Sequence, residues 1–541
     1  MKRSILTLVV VTALFTLWQA PALVANPQGA GSARLDLVEA TIADLRKAIQ
    51  TELVTIEQLT NMYLARIAAY DDAGPAVNAL LHVNADAAEQ ASDLDAFRHP
   101  GIARGPLYGI PVLLKDNIDT ADMPTTAGSV ALNGSIPPDD AFITRKLREA
   151  GAVIIGKATL TEFANFIALS MPAGYSSLGL FGFNPYDPRP LPGGDGRPVL
   201  STGGSSSGSG IGVNANFAAV AIGTETSGSI LSPASSNGVV GIKPTVGLVS
   251  RDGIIPITAD QDTAGPITRT VTDAAILLGV IAGYDPNDPA TTPCLEPGNC
   301  FSDYTQFLNK HALSGARIAV PPFPNNRADI MNAAIEVLRA QGAEVVMIPA
   351  LAQQLGTCVT LPAPATCSTV LLYGQKRDLN AYLANTPTAP MQTIADIVAF
   401  NATYVPPMKY GQAIFEAASQ LDTSPGSADT LRYQADRAED LARSRGALDA
   451  VYAEFDAILA SANSFAGTPA KAGYPSITVP GGFLPPAGAV VNPFPSGVTF
   501  SGPAFSEPTL IGFAYAFEQA TKHRRPPAST PPLPTDTVVR P

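Results

Sequence analysis

Apolar residues recur at helical spacing through residues 35–70. Intervals of four positions connect Leu45, Ile49 and Leu53. In the next stretch Leu59 is followed after four positions by Tyr63, and Tyr63 and Leu64 are followed after four and three positions by Ile67. Thr55 and Gln58 stand three positions apart, which is the spacing of a capping box at a helix N-terminus. The pattern therefore predicts two amphipathic helices in this segment.

Two short apolar runs, residues 110–114 and 152–156, have the composition of buried β-strands. The charged segment between them, residues 144–150, has the character of a helix. A strand, a helix and a strand in this order predict a parallel pair joined by a crossover helix. We therefore expect an α/β protein built on a sheet with helices around it.

Less regular patterns flank and follow these elements. Residues 175–198 are rich in Gly, Pro and aromatic side chains and predict an irregular loop, either a surface insertion or a wall of a substrate pocket. Residues 285–463 contain helical patterns at 333–341 and 431–459, and we expect this variable region to shape substrate choice. Residues 526–541 are proline-rich, and their composition predicts a disordered tail.

The N-terminal segment, residues 1–25, has the layout of a secretory signal peptide. Lys2 and Arg3 precede an apolar run that ends near Trp18, and small residues then offer cleavage sites. The alternative is a membrane anchor, although the run is short for a span. No second apolar span follows, so we expect an exported protein, periplasmic or secreted, that is soluble once processed.

The bulk composition bounds the class of protein. The chain has 541 residues, of which 46% are apolar and 15% charged, and a formal net charge of −12. This balance is typical of a globular protein with a sizeable core, and the net negative charge makes nucleic acid an unlikely partner. Length alone would allow several average domains, but the motifs described below are spread from end to end, so we expect one large domain over residues 30–525, and a monomer.

Four cysteines fall into two local pairs. Cys294 stands near Cys300, and Cys358 stands near Cys367. In an exported chain such pairs favour disulfide bonds, although four cysteines permit three pairings. A zinc site is the alternative, but the spacings do not fit one and no histidine stands nearby. The expected metal and cofactor content is none.

The candidate chemistry lies in two glycine- and serine-rich segments. The first, residues 203–210, reads Gly-Gly-Ser-Ser-Ser-Gly-Ser-Gly, and the second, residues 223–230, reads Gly-Thr-Glu-Thr-Ser-Gly-Ser-Ile. A small apolar stretch separates them, so two turns rich in hydroxyl and N–H groups can face one another. Lys115 closes the apolar run at 110–114 about ninety residues earlier.

These segments resemble the amidase signature family. Similar motifs continue at 109–117, 161–164, 239–245, 262–270 and 472–475, so the resemblance runs over nearly all of the chain after the N-terminal segment. It implies a single large domain with a central mixed β-sheet surrounded by α-helices. It also implies a catalytic set of Lys115, Ser205 in a cis peptide, and Ser229 as nucleophile.

The resemblance further implies an oxyanion hole made by backbone N–H groups. These groups belong to Thr226, Ser227, Gly228 and Ser229. The chain has Ser227 where many relatives have Gly, and Leu231 where many have Arg. The second difference removes any substrate role that such an arginine would have.

A lysine can activate a serine only when its amine is neutral, which requires a pKa well below its ordinary value near 10.4. Lys115 follows an apolar strand, so desolvation can provide this shift. In the expected relay Ser229 attacks an amide carbonyl, Ser205 accepts its proton and Lys115 accepts the proton of Ser205. Water then hydrolyses the acyl-enzyme. An ion pair with Asp116 is the structural alternative for this lysine.

Several other functions stay open at this stage. Gly-Ser-Ser-Ser-Gly at 204–208 formally satisfies the nucleophile elbow of a Ser-His-Asp hydrolase, with His311 or His523 downstream. A binding protein of the same ancestry without catalytic activity is another alternative. Within the resemblance, the motifs and export signal look most like peptide amidases acting on C-terminal amides, with fatty-acid and aryl amides as further substrates.

Overall fold

The computed structural model describes residues 33–97, 105–351, 358–360, 366–404 and 408–540, with the side chains at 358–360, 366 and 367 excepted. The expected signal peptide at 1–25 lies outside the described residues. The strands are β1 (Ala33–Asp36), β2 (Leu80–Val83), β3 (Pro111–Lys115), β4 (Val153–Ala158), β5 (Tyr175–Ser176), β6 (Leu180–Phe181), β7 (Val220–Glu225), β8 (Val240–Lys243), β9 (Thr263–Thr268), β10 (Arg317–Val320), β11 (Glu344–Met347), β12 (Cys358–Thr360), β13 (Thr366–Ser368), β14 (Ala457–Ser461), β15 (Ser476–Leu484), β16 (Phe494–Ser501) and β17 (Thr537–Arg540).

Helices pack around these strands. They are α1 (Ile42–Gln50), α2 (Ile56–Tyr70), α3 (Ala87–Ala96), α4 (Phe142–Glu149), α5 (Glu162–Asn165), α6 (Ser207–Asn214), α7 (Leu231–Ser236), α8 (Val271–Ile281), α9 (Ala328–Ala340), α10 (Thr369–Ala384), α11 (Ile394–Thr403), α12 (Ala413–Ser419), α13 (Ala428–Tyr452), α14 (Gly467–Ala472) and α15 (Glu507–Thr521). In the described part of the chain, no helix combines the length and apolarity needed to cross a membrane.

The centre of the molecule is an eleven-stranded mixed sheet in the order β11-β10-β14-β16-β15-β8-β9-β7-β3-β4-β2. Strands β7 and β4 flank β3 in parallel, whereas β9 pairs antiparallel with both β7 and β8. The central strands β3, β4, β7 and β9 are buried along their whole length. Strands covered on both faces are mainly apolar, as in β3 and β4, and the buried polar residues stand at or near the strand ends, as Lys115 and Glu225 do. The predicted α/β fold with a mixed sheet inside helices is confirmed.

The local predictions near the N-terminus are also confirmed. Helices α1 and α2 occupy the segment 35–70, and Thr55 and Gln58 form the expected reciprocal cap of α2. The crossover unit is β3, α4 and β4, with the two strands parallel. The helix predicted over 431–459 is too long at its end, because helix α13 ends at Tyr452 and the apolar residues after it form β14.

The variable region builds a second apolar core beside the sheet. Side chains of α10, α11 and α12, including Leu372, Ile397 and Phe415, pack with residues that follow α5 and with the loop at 255–257. This loop is tied to the end of β3, since the N–H of Ile255 donates to the carbonyl of Asn117 at 2.8 Å. The variable region therefore packs against a loop that contacts the candidate site.

One of the two cysteine pairs is described. Cys294 and Cys300 form a disulfide bond, as expected from their spacing. In the backbone, β12 pairs antiparallel with β13, which brings Val359 opposite Cys367 and Cys358 opposite Ser368. The side chains of Cys358 and Cys367 lie outside the described part, so their pairing stays a prediction.

The C-terminal segment corrects an expectation, because residues 526–540 are ordered rather than disordered. Strand β17 pairs antiparallel with β1. The buried guanidinium of Arg66 donates to the carbonyls of Thr530 at 2.9 Å and Pro531 at 3.1 Å, and forms an ion pair with Asp536. Proline lacks an N–H but keeps its carbonyl, so a proline-rich segment can be held by donors from outside it.

Candidate active site

Lys115 ends β3 with a fully buried side chain. Its Nζ lies 2.8 Å from the hydroxyl of Ser205, 2.8 Å from Thr224 Oγ1 and 3.2 Å from the carbonyl oxygen of Thr224. No ion pair between this amine and a carboxylate is found among the described residues, and Asp116 pairs instead with Lys157. The ion pair between Lys115 and Asp116, the structural alternative, is therefore not formed.

Burial lowers the pKa of Lys115 to about 7, against the opposing charges of Asp262 and Glu225. An amine taken out of water loses the solvation that favours its ammonium form, and hydroxyl or carbonyl neighbours replace that solvation only in part. The neutral amine is therefore well populated near neutral pH. Lys115 has the electrostatic property that a base requires.

Ser205 stands at the start of the glycine- and serine-rich turn and is also fully buried. The peptide bond between Gly204 and Ser205 is cis, as the resemblance implied. The Ser205 carbonyl accepts the N–H of Thr161 at 3.0 Å, which joins this turn to the segment after β4. A hydroxyl without solvent exposure and already bonded to an amine is placed to pass a proton rather than to meet a substrate.

Ser229 lies in the loop that connects β7 to α7, and 8% of the residue's surface is exposed to solvent. Its carbonyl accepts the N–H of Ser206 at 3.2 Å, so this loop and the Ser205 turn are adjacent. Within the described residues, the hydroxyl of Ser229 makes no hydrogen bond. The fold thus brings Lys115, Ser205 and the Ser229 loop to one place, with the Lys115–Ser205 contact formed and the Ser229 hydroxyl available.

Glu225, the last residue of β7, shapes this loop, and the sequence pattern alone assigned it no role. Its buried carboxylate accepts the N–H groups of Gly228 at 2.6 Å, Ile230 at 2.7 Å and Leu231 at 3.0 Å. Burial raises the pKa of Glu225, while these donors oppose that shift. The signal in the sequence was an acidic residue placed directly between a strand and a turn at a helix N-terminus.

The hydrogen bond from Gly228 to Glu225 removes Gly228 from the four expected oxyanion-hole donors. The N–H of Gly228 is engaged by Glu225, so it does not face a substrate. The N–H groups of Thr226, Ser227 and Ser229 donate to no other described residue. Gly228 still requires glycine, because its φ is +84° and an added Cβ would lie 3.3 Å from Asn463 Nδ2.

Asp262 holds the other side of the loop. One carboxylate oxygen accepts the hydroxyl of Thr226, and the second accepts the N–H groups of Ile257 at 2.8 Å and Thr258 at 2.9 Å. Burial raises the pKa of Asp262 to about 6, with the Thr226 hydrogen bond opposing this. The loop is therefore fixed between two buried carboxyl groups, those of Glu225 and Asp262.

The residues of the alternative Ser-His-Asp hydrolase are not brought together. Ser205 is bonded to Lys115, whereas His311 is exposed and His523 packs near the ring of Phe517. Among the described residues, no group of three or more His, Cys, Asp or Glu side chains could hold a metal ion. The chemistry of the site consists of hydroxyl groups, a buried amine and backbone N–H groups.

Comparison with known proteins gives a consistent result. The sequence model of a family described as Amidase matches residues 58–511. A "Probable amidase" of Arabidopsis thaliana is 40% identical over 511 residues, which cover 92% of this chain and 93% of that protein. A glutamyl-tRNA(Gln) amidotransferase component from a Synechococcus strain is 32% identical, covering 90% of this chain and 100% of that protein.

A solved structure shares the fold over nearly its whole length. The native peptide amidase from Stenotrophomonas maltophilia superposes with a TM-score of 0.80 at 40% sequence identity. The match covers 91% of this chain and 99% of that chain. The part of this chain outside the match is much shorter than the variable region, so most of that region is included in the similarity.

Proposed function

Because this chain belongs to the amidase signature family and is an amide hydrolase, we propose that it hydrolyses the C-terminal carboxamide of peptides with Lys115, Ser205 and Ser229 as its catalytic set. The observation that carries this proposal is the buried amine of Lys115, hydrogen-bonded to Ser205 at 2.8 Å beside the loop of Ser229. Similarity to a peptide amidase over 99% of that protein's chain supports the choice of substrate.

In the proposed mechanism, the Ser229 hydroxyl attacks the carboxamide carbon. Its proton passes to Ser205 as the proton of Ser205 passes to the neutral amine of Lys115. The N–H groups of Thr226, Ser227 and Ser229 stabilise the oxyanion, in the absence of the Gly228 donor. One proton then passes back from Lys115 through Ser205 to the leaving nitrogen, which departs as ammonia.

Water then enters and completes the reaction. It attacks the ester carbon of the acyl-enzyme, again giving a proton to the relay, and the peptide leaves with a free carboxylate. Ser229 recovers its hydroxyl hydrogen, so the net reaction consumes one water and releases one ammonia. Asn463, at the end of the variable region, and Ala466 just after it lie near Gly228 and are suited to form the wall that the substrate contacts.

The test is ammonia release from a panel of peptide amides, fatty-acid amides and aryl amides. We expect peptide amides to be hydrolysed fastest, and Ser229→Ala to abolish release while Ser302→Ala, at an exposed serine, retains it. A serine-reactive fluorophosphonate should label the wild type and Ser302→Ala but not Ser229→Ala. Faster hydrolysis of another amide class would reject the proposed substrate, and labelling of Ser229→Ala would reject the nucleophile.

We also propose that the protein is exported, as the layout of residues 1–25 indicates. The disulfide bond between Cys294 and Cys300 supports this proposal, because disulfide bonds persist mainly in oxidising compartments. The expected monomeric state stays a prediction, which size-exclusion chromatography with light scattering can check.

A further inference from the structure

Thr224 makes two of the three polar contacts of the Lys115 amine. Its hydroxyl oxygen lies 2.8 Å and its carbonyl oxygen 3.2 Å from Nζ, and the third contact is the Ser205 hydroxyl at 2.8 Å. Thr224 is a residue of β7, the strand paired in parallel with β3, and is 6% exposed. The same residue therefore faces the amine with both its side chain and its backbone.

We propose that Thr224, held by Asn117, is a positioning residue that directs the lone pair of the neutral Lys115 amine toward Ser205. This inference rests on the proposed function, since it assigns Lys115 the role of base. It adds a residue that sets the direction of proton transfer without touching the substrate. The direction follows from the groups with a single hydrogen-bonding role, the NH₂ of Asn117 and the carbonyls of Thr224 and Ile255, and from the donation by the amine to Thr224 Oγ1.

Asn117 fixes the direction of the first hydrogen bond. Its Nδ2 lies 3.1 Å from the carbonyl of Ile255 and 3.1 Å from Thr224 Oγ1. A carbonyl only accepts, so the group facing Ile255 is the NH₂ end of the amide, which also donates to Thr224. One lone pair of the Thr224 hydroxyl is thereby occupied, and the other faces Lys115.

These contacts limit which hydrogen bonds the amine of Lys115 can make. Its ammonium form donates three N–H groups, and the structure offers three oxygen acceptors, two on Thr224 and one on Ser205. When one proton is lost, the Thr224 carbonyl must still accept an N–H, and the second N–H stays on Thr224 Oγ1, to which the amine donates in the structure. The lone pair is left for Ser205, whose hydroxyl hydrogen it can accept.

The backbone of Thr224 is clamped by the turn that carries Ser205. The N–H of Thr224 donates to the Ser206 hydroxyl at 3.2 Å, and that hydroxyl donates to the Thr224 carbonyl at 3.1 Å. Movement of Thr224 would therefore disturb the residue next to Ser205. The positions of the amine, the acceptor oxygens and the relay serine are coupled through these short contacts.

Two carboxyl groups act on the charge of Lys115, those of Asp262 and Glu225. Neither is altered by a substitution at Thr224. The acid limb is the rise of the labelling rate with pH. A shift of this limb in Thr224→Val that Thr224→Ser does not share can therefore be assigned to the lost oxygen. A hydroxyl acceptor stabilises the ammonium, so removing it should shift the limb toward lower pH.

The test compares Thr224→Val, which removes the oxygen at nearly constant volume, with Thr224→Ser, which retains it. The readout is the rate of fluorophosphonate labelling of Ser229 against pH, which requires no knowledge of the amide substrate. We expect Thr224→Val to label at least tenfold more slowly on the plateau and to have its acid limb at lower pH. Thr224→Ser should restore the rate to within about threefold and return the limb to the wild-type pH.

Thr60→Val is the matched control, because Thr60 is buried and its hydroxyl finds no partner among the described residues. Its labelling profile should match the wild type, and thermal unfolding should show all variants folded. Equal profiles for Thr224→Val and wild type would overturn the inference, as would a Thr224→Ser variant as slow as Thr224→Val. Failure of the proposed substrate would instead appear in the ammonia assay, with the labelling profiles unaffected.

Discussion

At the residue scale, the site depends on how little water reaches Lys115. The same amine at the surface would be an ammonium at neutral pH, and Ser205 would then have no acceptor for its proton. The apolar strand before Lys115 removes water, while Thr224 and Ser205 satisfy its N–H groups without adding a full negative charge. The residue is therefore stabilised in place without being fixed in its charged form.

This environment predicts the pH dependence of catalysis. The pKa of Lys115 is lowered to about 7, and the amine is active above its pKa, so kcat/KM should rise with pH through about 7 and then level off. The measurement is kcat/KM from pH 5 to 9 on any amide that the protein hydrolyses. A rise of kcat/KM near pH 10 instead would show that the pKa of Lys115 is not lowered.

Lys115→Met serves as the control for this rise of kcat/KM near pH 7. It preserves an unbranched side chain in the buried position and removes the base. We expect kcat to fall by about 10²- to 10⁴-fold, the usual contribution of a general base, and the rise near pH 7 to vanish from any residual activity.

Glu225 supports a second prediction at this scale. Glu225→Gln replaces an acceptor of three N–H groups by an amide that carries a donor of its own, so part of the loop loses its partners. We expect a loss of about 1–3 kcal/mol in the free energy of unfolding and a fall in kcat of at least tenfold. Denaturant titration and steady-state kinetics measure these changes.

The matched control is Glu336→Gln, at an exposed ion pair with Arg339. Exposed pairs contribute little, so this variant should change the free energy of unfolding by less than about 1 kcal/mol and leave kcat unaltered. If Glu225→Gln behaved like the control, the carboxylate of Glu225 would not be what shapes the Ser229 loop.

At the element scale, the site is built from loops at the ends of neighbouring strands. β3 ends at Lys115, and β7 leads directly into the loop of Ser229. The Ser205 turn precedes α6 and reaches this loop through the hydrogen bond from Ser206 to Ser229. Because β3 and β7 are adjacent and parallel, their carboxyl ends meet, which is where α/β sheets commonly carry ligand sites.

The C-terminal segment gives a prediction at this scale. Arg66 and Asp536 form an ion pair with both side chains buried, which attaches the segment before β17 to helix α2. Asp536→Asn leaves the guanidinium without its counter-charge, so we expect the free energy of unfolding to fall by about 3–5 kcal/mol. Denaturant unfolding measures the loss.

Asp36→Asn is the comparison, since Asp36 pairs with Arg34 at an exposed position on β1. It should change the free energy of unfolding by less than about 1 kcal/mol. A similarly small change for Asp536→Asn would mean that the C-terminal segment contributes little to stability.

At the scale of the whole molecule, the buried apolar side chains of the described residues form three clusters around one large sheet. The main core packs on the sheet, and the second joins helices α10 to α12 to the loop at 255–257. That loop contacts Asn117, which in turn reaches Thr224. Changes in the variable region can therefore alter the site through packing while the sheet, Lys115, Ser205 and Ser229 are retained.

The proposed export gives a prediction for the whole molecule. Trp18 is the single tryptophan of the chain and lies in the expected signal peptide. Protein purified from an exporting host should therefore show tyrosine but no tryptophan fluorescence, and its mass should correspond to the loss of about 25 residues. A Trp18→Phe chain is the spectral control, and tryptophan emission from the purified wild type would contradict cleavage.

The sequence by itself determined the fold class, the elements of the crossover unit and the positions of Lys115, Ser205 and Ser229. Apolar periodicity and glycine-rich turns are local properties, and the family resemblance links them over most of the chain. The contact between Lys115 and Ser205 was expected, and the structure has it at 2.8 Å.

The tertiary structure alone decided which neighbours complete the site. Glu225 takes the N–H of Gly228, Thr224 faces the amine, and the proline-rich C-terminal segment is ordered by Arg66. Each of these results depends on which donor lies opposite which acceptor once distant segments are packed. Hydrogen bonding is directional and short-ranged, so composition and spacing cannot specify such pairings, whereas burial patterns can be read from the order of the residues.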